Sequence, residues 1–271
     1  MEAYKNICNL VAEFNYLFGV IDYKYPNNEQ VMVDKFDSKS PLFNLTQIKL
    51  RHSLINEEIK ELQQALIDID EIEIIDALCD ILYVVAGAKV YFNLPIIDIK
   101  DHYTQCSLEQ MTHLNILNIK NLISSNEQIK KIFEKILVKN EILDNLTELF
   151  VNDKKLNFHN LLIKDFIDIY NKNLDDIVVN VFKISKLLNI NIIYYFNIVH
   201  NSNMSKICTN EEDAINTIEW YKKNELTSDN KPRYKAIYKK INYNKKDYFV
   251  VCDIDTKKIL KSIKYTEAKF T

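Results

Sequence analysis

A chain of 271 residues with 47% hydrophobic and 27% charged side chains can bury a full core, as one large domain or two small ones. A net charge of −3 argues against general nucleic-acid binding. With only two glycines and four prolines there is neither a glycine-rich phosphate loop nor a dinucleotide fingerprint, and long helices are favoured.

Tyr4 to Phe18 places Ile7, Leu10, Val11, Phe14, Leu17 and Phe18 on one side of a helix, with Gly19 as its stop. Asp22 to Leu42 carries Pro26, Asn27, Asn28 and Pro41 and is expected to be an irregular loop. Thr46 is expected to cap the next helix, whose early part holds Lys49 and Arg51.

The most informative stretch follows, from Leu54 to Phe92. At about 100° per residue, Leu54, Ile55, Ile59, Leu62, Leu66 and Ile69 make one apolar arc. Glu58 falls in the middle of that arc, Glu61 at its edge and Glu57 one step further out. After an acidic turn at Asp68, Asp70 and Glu71, a second helix is apolar nearly all round. Its acids form one stripe, Glu73, Asp76 and Asp80. If the two helices pack antiparallel, Glu58, Glu61, Asp76 and Asp80 crowd into a shared core. Like charges so placed repel strongly, and a hard divalent cation relieves them: Mg²⁺, with Mn²⁺ as the alternative. The plainer reading is that these acids are solvated helix faces.

Asn93, Leu94 and Pro95 end that helix. The segment 98–173 has helical period over Leu114–Ile123, Ile129–Leu137, Ile142–Phe150 and Leu161–Tyr170. His102, His113 and His159 are scattered through it without metal-ligand spacing. Leu174 to Ile192 is a further helix that echoes the stretch from Glu73 to Ile97, ends in a similar way and lacks its acid stripe except for Asp175 and Asp176. Thr209 and Glu212 read as a capping box for a helix over Glu211 to Lys223. From Arg233 the period changes to two, with strands expected at Tyr234–Tyr238, Tyr248–Cys252 and Ile259–Ile263 and a turn at Asp253–Lys257.

Cys8, Cys79, Cys106, Cys208 and Cys252 are odd in number and lack CxxC spacing, which suits reduced thiols better than disulfides or zinc. No signal peptide or membrane-spanning run is apparent, so the expected location is cytoplasmic, with no membrane partner.

The EExxE run at Glu57–Glu61, followed by DALCDILYVVAGA, resembles the MazG-like, all-α nucleoside triphosphate pyrophosphohydrolase superfamily, which includes phosphoribosyl-ATP pyrophosphohydrolase. Glu58, Glu61 and Asp80 match its ExxE…ExxD signature; the remaining Glu would fall on Ala77, and Asp76 or Glu73 stands beside it. VHNSNMSK resembles a later phosphate-binding segment, which points to Asn203, Ser205 and Lys206. TKKILKSIKYTEA resembles the family tail and implies Lys258 and Lys261 near the site.

The resemblance implies a mainly α fold, an all-α NTP pyrophosphatase-like helical bundle with a small C-terminal β appendage. Residues 1–97 would be the N-terminal part of the bundle, 98–173 a helical insertion, and 174–271 a closing helix, the phosphate-binding segment and the β tail. It implies Mg-dependent cleavage of a (d)NTP between the α and β phosphates, in nucleotide-pool house-cleaning. Glu58, Glu61, Asp76 and Asp80 would hold metal, with Glu57 as general base. Asn203, Ser205, Lys206 and Lys261 would bind the substrate. The family builds its site from a homodimer or from a duplicated bundle. The alternative, supported by Ala77, is a catalytically inactive nucleotide-binding or helical interaction protein.

Overall fold

The computed structural model describes residues 2–21, 45–97, 99, 122–123, 126–152, 160–256 and 258–270. The expected loop over Asp22–Leu42, His102, His113, His159, Cys106 and most of Leu114–Ile123 lie outside these residues. The described elements are mainly helical: α1 (Glu2–Leu17), α2 (Leu45–Asp68), α3 (Glu71–Tyr91), α4 (Glu127–Asn152), α5 (Asn160–Leu187), α6 (Ile192–Met204) and α7 (Glu211–Asn224). One antiparallel pair, β1 (Ala236–Tyr243) and β2 (Lys246–Asp253), stands near the C-terminus. A mainly α fold with a small β appendage is therefore what the chain adopts.

The contacts divide the chain into two compact units. The first holds residues 1–12 and 24–196, and the second holds residues 13–23 and 197–270. In the first unit α2 and α3 form a helical hairpin. Ile69 takes a left-handed turn (φ 54°), and Asp70 caps α3 by accepting from the backbone N–H groups of Ile72 and Glu73 at 3.1 Å each. A connection this short makes the two helices antiparallel neighbours. α3 is buried nearly all round, as its composition requires, and α4 and α5 form a second hairpin that packs beside the first.

Three helices stop by the same device. At Gly19 (φ 66°), Asn93 (φ 48°) and Asn189 (φ 55°) the chain turns left-handed. The following N–H groups then bond back, as in Leu94 to the Lys89 carbonyl at 2.8 Å and Ile190 to the Ser185 carbonyl at 2.8 Å.

In the second unit, the expected capping box moves by one residue. Asn210, not Thr209, caps α7, because its side chain accepts from the Asp213 N–H at 2.8 Å. Thr46 likewise lies inside α2 and does not cap it. The strands also shift. The hairpin turns at Asn244 and Lys245, both left-handed (φ 49° and 63°), a two-residue connection made without glycine. The expected third strand over Ile259–Ile263 reduces to a single bridge between Ile259 and Cys252. In the first unit, four expected helical segments fuse into two. Ile129–Leu137 and Ile142–Phe150 become α4, while Leu161–Tyr170 and Leu174 onward become α5. The polar Asn and Lys positions that interrupt the pattern break the apolar stripe without breaking the helix.

Lys89 is wholly buried in the first unit. Its ammonium is ion-paired with Asp175 and donates to the Pro95 carbonyl at 2.6 Å and to Asn171 Oδ1 at 2.8 Å, which ties the end of α3 to α5. Replacing Lys89 by Met strands the Asp175 carboxylate and should cost about 3–5 kcal/mol in urea unfolding. Adding Asp175→Leu should recover most of the loss.

Candidate functional site

In the first unit, Glu58 and Asp80 are half-buried on facing helices, and Glu61 and Glu57 lie nearer solvent along α2. Burial and then the charges of Asp80, Glu61 and Glu57 push the Glu58 carboxyl up to about 8, and a hydrogen bond with Glu61 acts in the same direction. Asp76 is half-buried too. Burial and the charges of Glu73 and Glu61 push it up to about 6. Asp76 therefore feels a carboxylate of α2 across the hairpin, while Ala77, where the signature's Glu would fall, is buried and has no donor.

The four acids singled out from sequence thus act on one another through the pairs Glu58–Asp80, Glu58–Glu61 and Asp76–Glu61. Among the described residues no three His, Cys, Asp or Glu side chains close on one point as a metal cage would. The donor set is nevertheless chemically suited to a hard cation. All donors are carboxylate oxygens, and at neutral pH the cluster sheds part of its repulsion by keeping a proton on Glu58. A divalent ion would replace that proton.

The second unit holds the other set. Lys206 Nζ donates to Asn203 Oδ1 at 2.6 Å, so these two residues hold each other on the last turn of α6 and just beyond it. The Ser205 hydroxyl donates to the Ser202 carbonyl at 2.7 Å and accepts from the Thr266 N–H at 2.9 Å. Ser262 Oγ donates to the Ser205 carbonyl at 2.8 Å, and Ser202 Oγ donates to the Tyr265 hydroxyl at 3.2 Å. The 202–206 segment and the 261–266 tail, singled out separately in the sequence, are therefore laced together. Lys261 sits with its ammonium 4.2 Å from the centre of the Tyr265 ring, and Lys258 with its own 5.8 Å from that of Tyr234.

Beside this lacing lies a cavity of about 210 Å³, with Ser205, Cys208, Asp213, Tyr248, Ser262 and Lys264 in its wall. Lys264 Nζ is paired with the nearly buried Asp213 at 2.6 Å. Sequence reasoning missed Ser262, Asp213 and Lys264; the only signal was the place of Ser262 and Lys264 in the tail already marked, while Asp213 lies in the first turn of α7, outside both marked segments. His200 is buried, and burial pushes its imidazole down to about 4, so it is neutral at pH 7. Cys8, Cys79, Cys208 and Cys252 are free and buried. Among the described residues no single helix is long and apolar enough to cross a membrane.

A family model for phosphoribosyl-ATP pyrophosphohydrolase matches residues 29–105, which include α2 and α3 with all four acids. The chain is also 31% identical over 263 residues to the uncharacterized protein L479 of Acanthamoeba polyphaga mimivirus, covering 93% of this chain and 89% of that one. No solved structure matches the chain.

The raised Glu58 and Asp76 fix the sign of a pH effect. A carboxyl held above its ordinary value adds stability that is whole below about 4.5 and is lost as pH rises through its folded value. Without divalent ions the melting temperature should fall between about pH 5 and 8.5 by this contribution, and the fall should be shallower in Glu58→Gln. The depressed His200 acts in the opposite sense, losing stability as pH falls from 6.5 towards 4. The difference between wild type and Glu58→Gln is therefore the quantity to read, by differential scanning fluorimetry.

Proposed function

Because this chain belongs to the MazG-like, all-α NTP pyrophosphohydrolase superfamily, we propose that it is a Mg²⁺-dependent nucleoside triphosphate pyrophosphohydrolase. It would release a nucleoside monophosphate and pyrophosphate, and nucleotide-pool house-cleaning is the role that fits. The observation that carries this reading is the half-buried Glu58, set against Asp80 and Glu61: burial and then these neighbouring charges push its carboxyl up to about 8, and burial, Glu73 and Glu61 raise Asp76 on the same hairpin. Four carboxylates without a cation between them cost stability, and a core that needed only packing would have apolar residues there.

Glu58, Glu61, Asp76 and Asp80 would hold the ion. When bound, it supplies charge neutralisation on the phosphates and lowers the pKa of water. Glu57 is exposed at the margin of the cluster, where its carboxylate would take the proton of the attacking water. The water oxygen forms the new bond to the α phosphorus, the bond from that phosphorus to the bridging oxygen breaks, and the electron pair leaves with pyrophosphate. Asn203 and Lys206 would bind that pyrophosphate, Lys206 as a compact cation and Asn203 as a donor of fixed direction. Their own hydrogen bond at 2.6 Å keeps Lys206 in one rotamer before substrate arrives. Ser205 and Lys261 belong to the same substrate-binding set, and the lacing of the tail fixes the backbone that carries them.

A second reading, nucleotide binding without turnover, is favoured by Ala77, where a ligand of the signature is missing. The response of Asp76 to Glu61 supports Asp76 as the substitute and so weighs against it.

The test is pyrophosphate release from a panel of NTPs, dNTPs and phosphoribosyl-ATP, with Mg²⁺ and with EDTA. The expected result is release that requires Mg²⁺, falls at least about a hundredfold in Glu58→Gln and Glu61→Gln, and leaves the circular dichroism of both variants unchanged. Turnover that survives either substitution, or EDTA, would sink the assignment. Mg²⁺-dependent thermal stabilisation with no release from any substrate would establish the second reading.

A further inference from the structure

The two helical hairpins of the first unit correspond residue by residue. Ile48, His52, Ile55, Ile59 and Leu62 of α2 fall, at one constant offset, on Ile129, Phe133, Ile136, Asn140 and Leu143 of α4, and all ten side chains are buried. At a second constant offset, Ile74, Leu78, Ile81, Val85 and Ala88 of α3 fall on Tyr170, Leu174, Ile177, Val181 and Ile184 of α5, again all buried. The second register is confirmed independently by the backbone. It places Asn93 on Asn189 and Leu94 on Ile190, so the two helices stop with the same left-handed Asn and the same back-bonded N–H.

These registers carry the acid positions across. Asp80 falls on Asp176, Glu58 on Lys139, Glu61 on Ile142 and Asp76 on Lys172. The first pair is decisive. In the first hairpin Glu58 and Asp80 face each other as like charges. In the second, the residues at the same two positions, Lys139 and Asp176, form an ion pair of 2.8 Å with both side chains partly withdrawn from water (28% and 37% exposed). Two different registers, each set by burial, bring a facing pair onto a facing pair.

We infer that α4–α5 is a second copy of the α2–α3 hairpin whose cation position is closed by the chain's own ammonium, Lys139. The inference rests on the proposed role of Glu58 and Asp80, and on nothing in the second unit. An ammonium holds one carboxylate permanently and needs no metal, and the two remaining acid positions have lost their carboxylates to Ile142 and Lys172. The chain then contains both halves of a two-hairpin bundle and a single divalent-cation centre. The second position is a closed metal site, and the class of ligand it would take when opened is a hard divalent cation with oxygen donors.

The test opens it. In a Glu58→Gln background, which disables the first centre, Lys139→Glu would face Asp176 as Glu58 faces Asp80. Mn²⁺ binding is read by electron paramagnetic resonance and by Mn²⁺-dependent thermal shift on the full chain. The expected outcome is one Mn²⁺ bound per chain and a melting shift in Glu58→Gln/Lys139→Glu, and neither in Glu58→Gln/Lys139→Met. Lys139→Asn, which supplies a neutral oxygen and adds no repulsion, should bind more weakly than Lys139→Glu and more tightly than Lys139→Met. It keeps the test readable if Lys139→Glu does not fold. Equal Mn²⁺ response in the Glu, Asn and Met variants would overturn the inference. Full Mn²⁺ binding by Glu58→Gln alone would instead remove the proposed first centre, a failure visible before Lys139 is touched.

Discussion

The first unit is governed by one conflict. α3 is so apolar that it must be covered on almost every side, yet it carries acids on the side that meets α2. The two-residue connection at Ile69 and Asp70 leaves no freedom to turn that side outward, because it fixes α2 and α3 as antiparallel neighbours. Covering α3 therefore means desolvating Asp76 and Asp80 against Glu58 and Glu61. Glu58 and Asp76, pushed above their ordinary values, destabilise the fold once they ionise, and a bound cation would reverse the sign.

The opposite end of α3 shows what a purely structural buried charge looks like in the same helix. Lys89 is more deeply buried than any of the acids, and its ammonium meets the Asp175 carboxylate, an amide oxygen and a backbone carbonyl. Such a group is fully satisfied within the chain. Around Glu58 the dominant charges are all carboxylates. The contrast separates a charge that builds the fold from charges that the fold holds ready for something else, and it does so without reference to any relative.

Much of this was legible in the sequence because helical period and charge placement are local properties. The acid stripe of α3 and the acids in the apolar arc of α2 could be read from spacing, and the helix stops at Gly19 and at Asn93–Pro95 from residue type, while the left-handed turns at Gly19 and Asn93 are seen only in the structure. The misses have physical causes. The β-hairpin turn lacks glycine, and Asn244–Lys245 carries no strong turn signal although both residues take positive φ. Asn210 and Thr209 are both good caps, and only the hydrogen bond to Asp213 chooses between them. The two long helices looked like four because exposed polar positions interrupt an apolar stripe without ending a helix. In the second unit, the 202–206 segment and the tail were marked separately, and their lacing through Ser205, Ser262 and Tyr265 is a tertiary fact that no local pattern carries.

The two hairpins also divide a stability problem between them. A Lys–Asp pair supplies its cation at all times, so α4–α5 is neutralised whether or not a divalent ion is present. The carboxyls of α2–α3 have no such internal cation beside Glu58, so a divalent ion, if bound as proposed, would stabilise that hairpin. A bundle made of two acid hairpins would be weakened twice in the apo state, because the repulsion would act on both sides of one core. With Lys139, Ile142 and Lys172 at the corresponding positions, any metal dependence would be confined to the hairpin that would perform chemistry. α4 packs on α2, where His52 Nε2 lies 3.3 Å from Asp144 and Asn140 donates to Asn56 at 3.0 Å. The neutralised hairpin thus braces the charged one close to Glu57 and Glu58. A hairpin that keeps carboxyls close together gains from such a neighbour, and the second hairpin is suited to that task because Lys139 and Asp176 already neutralise each other.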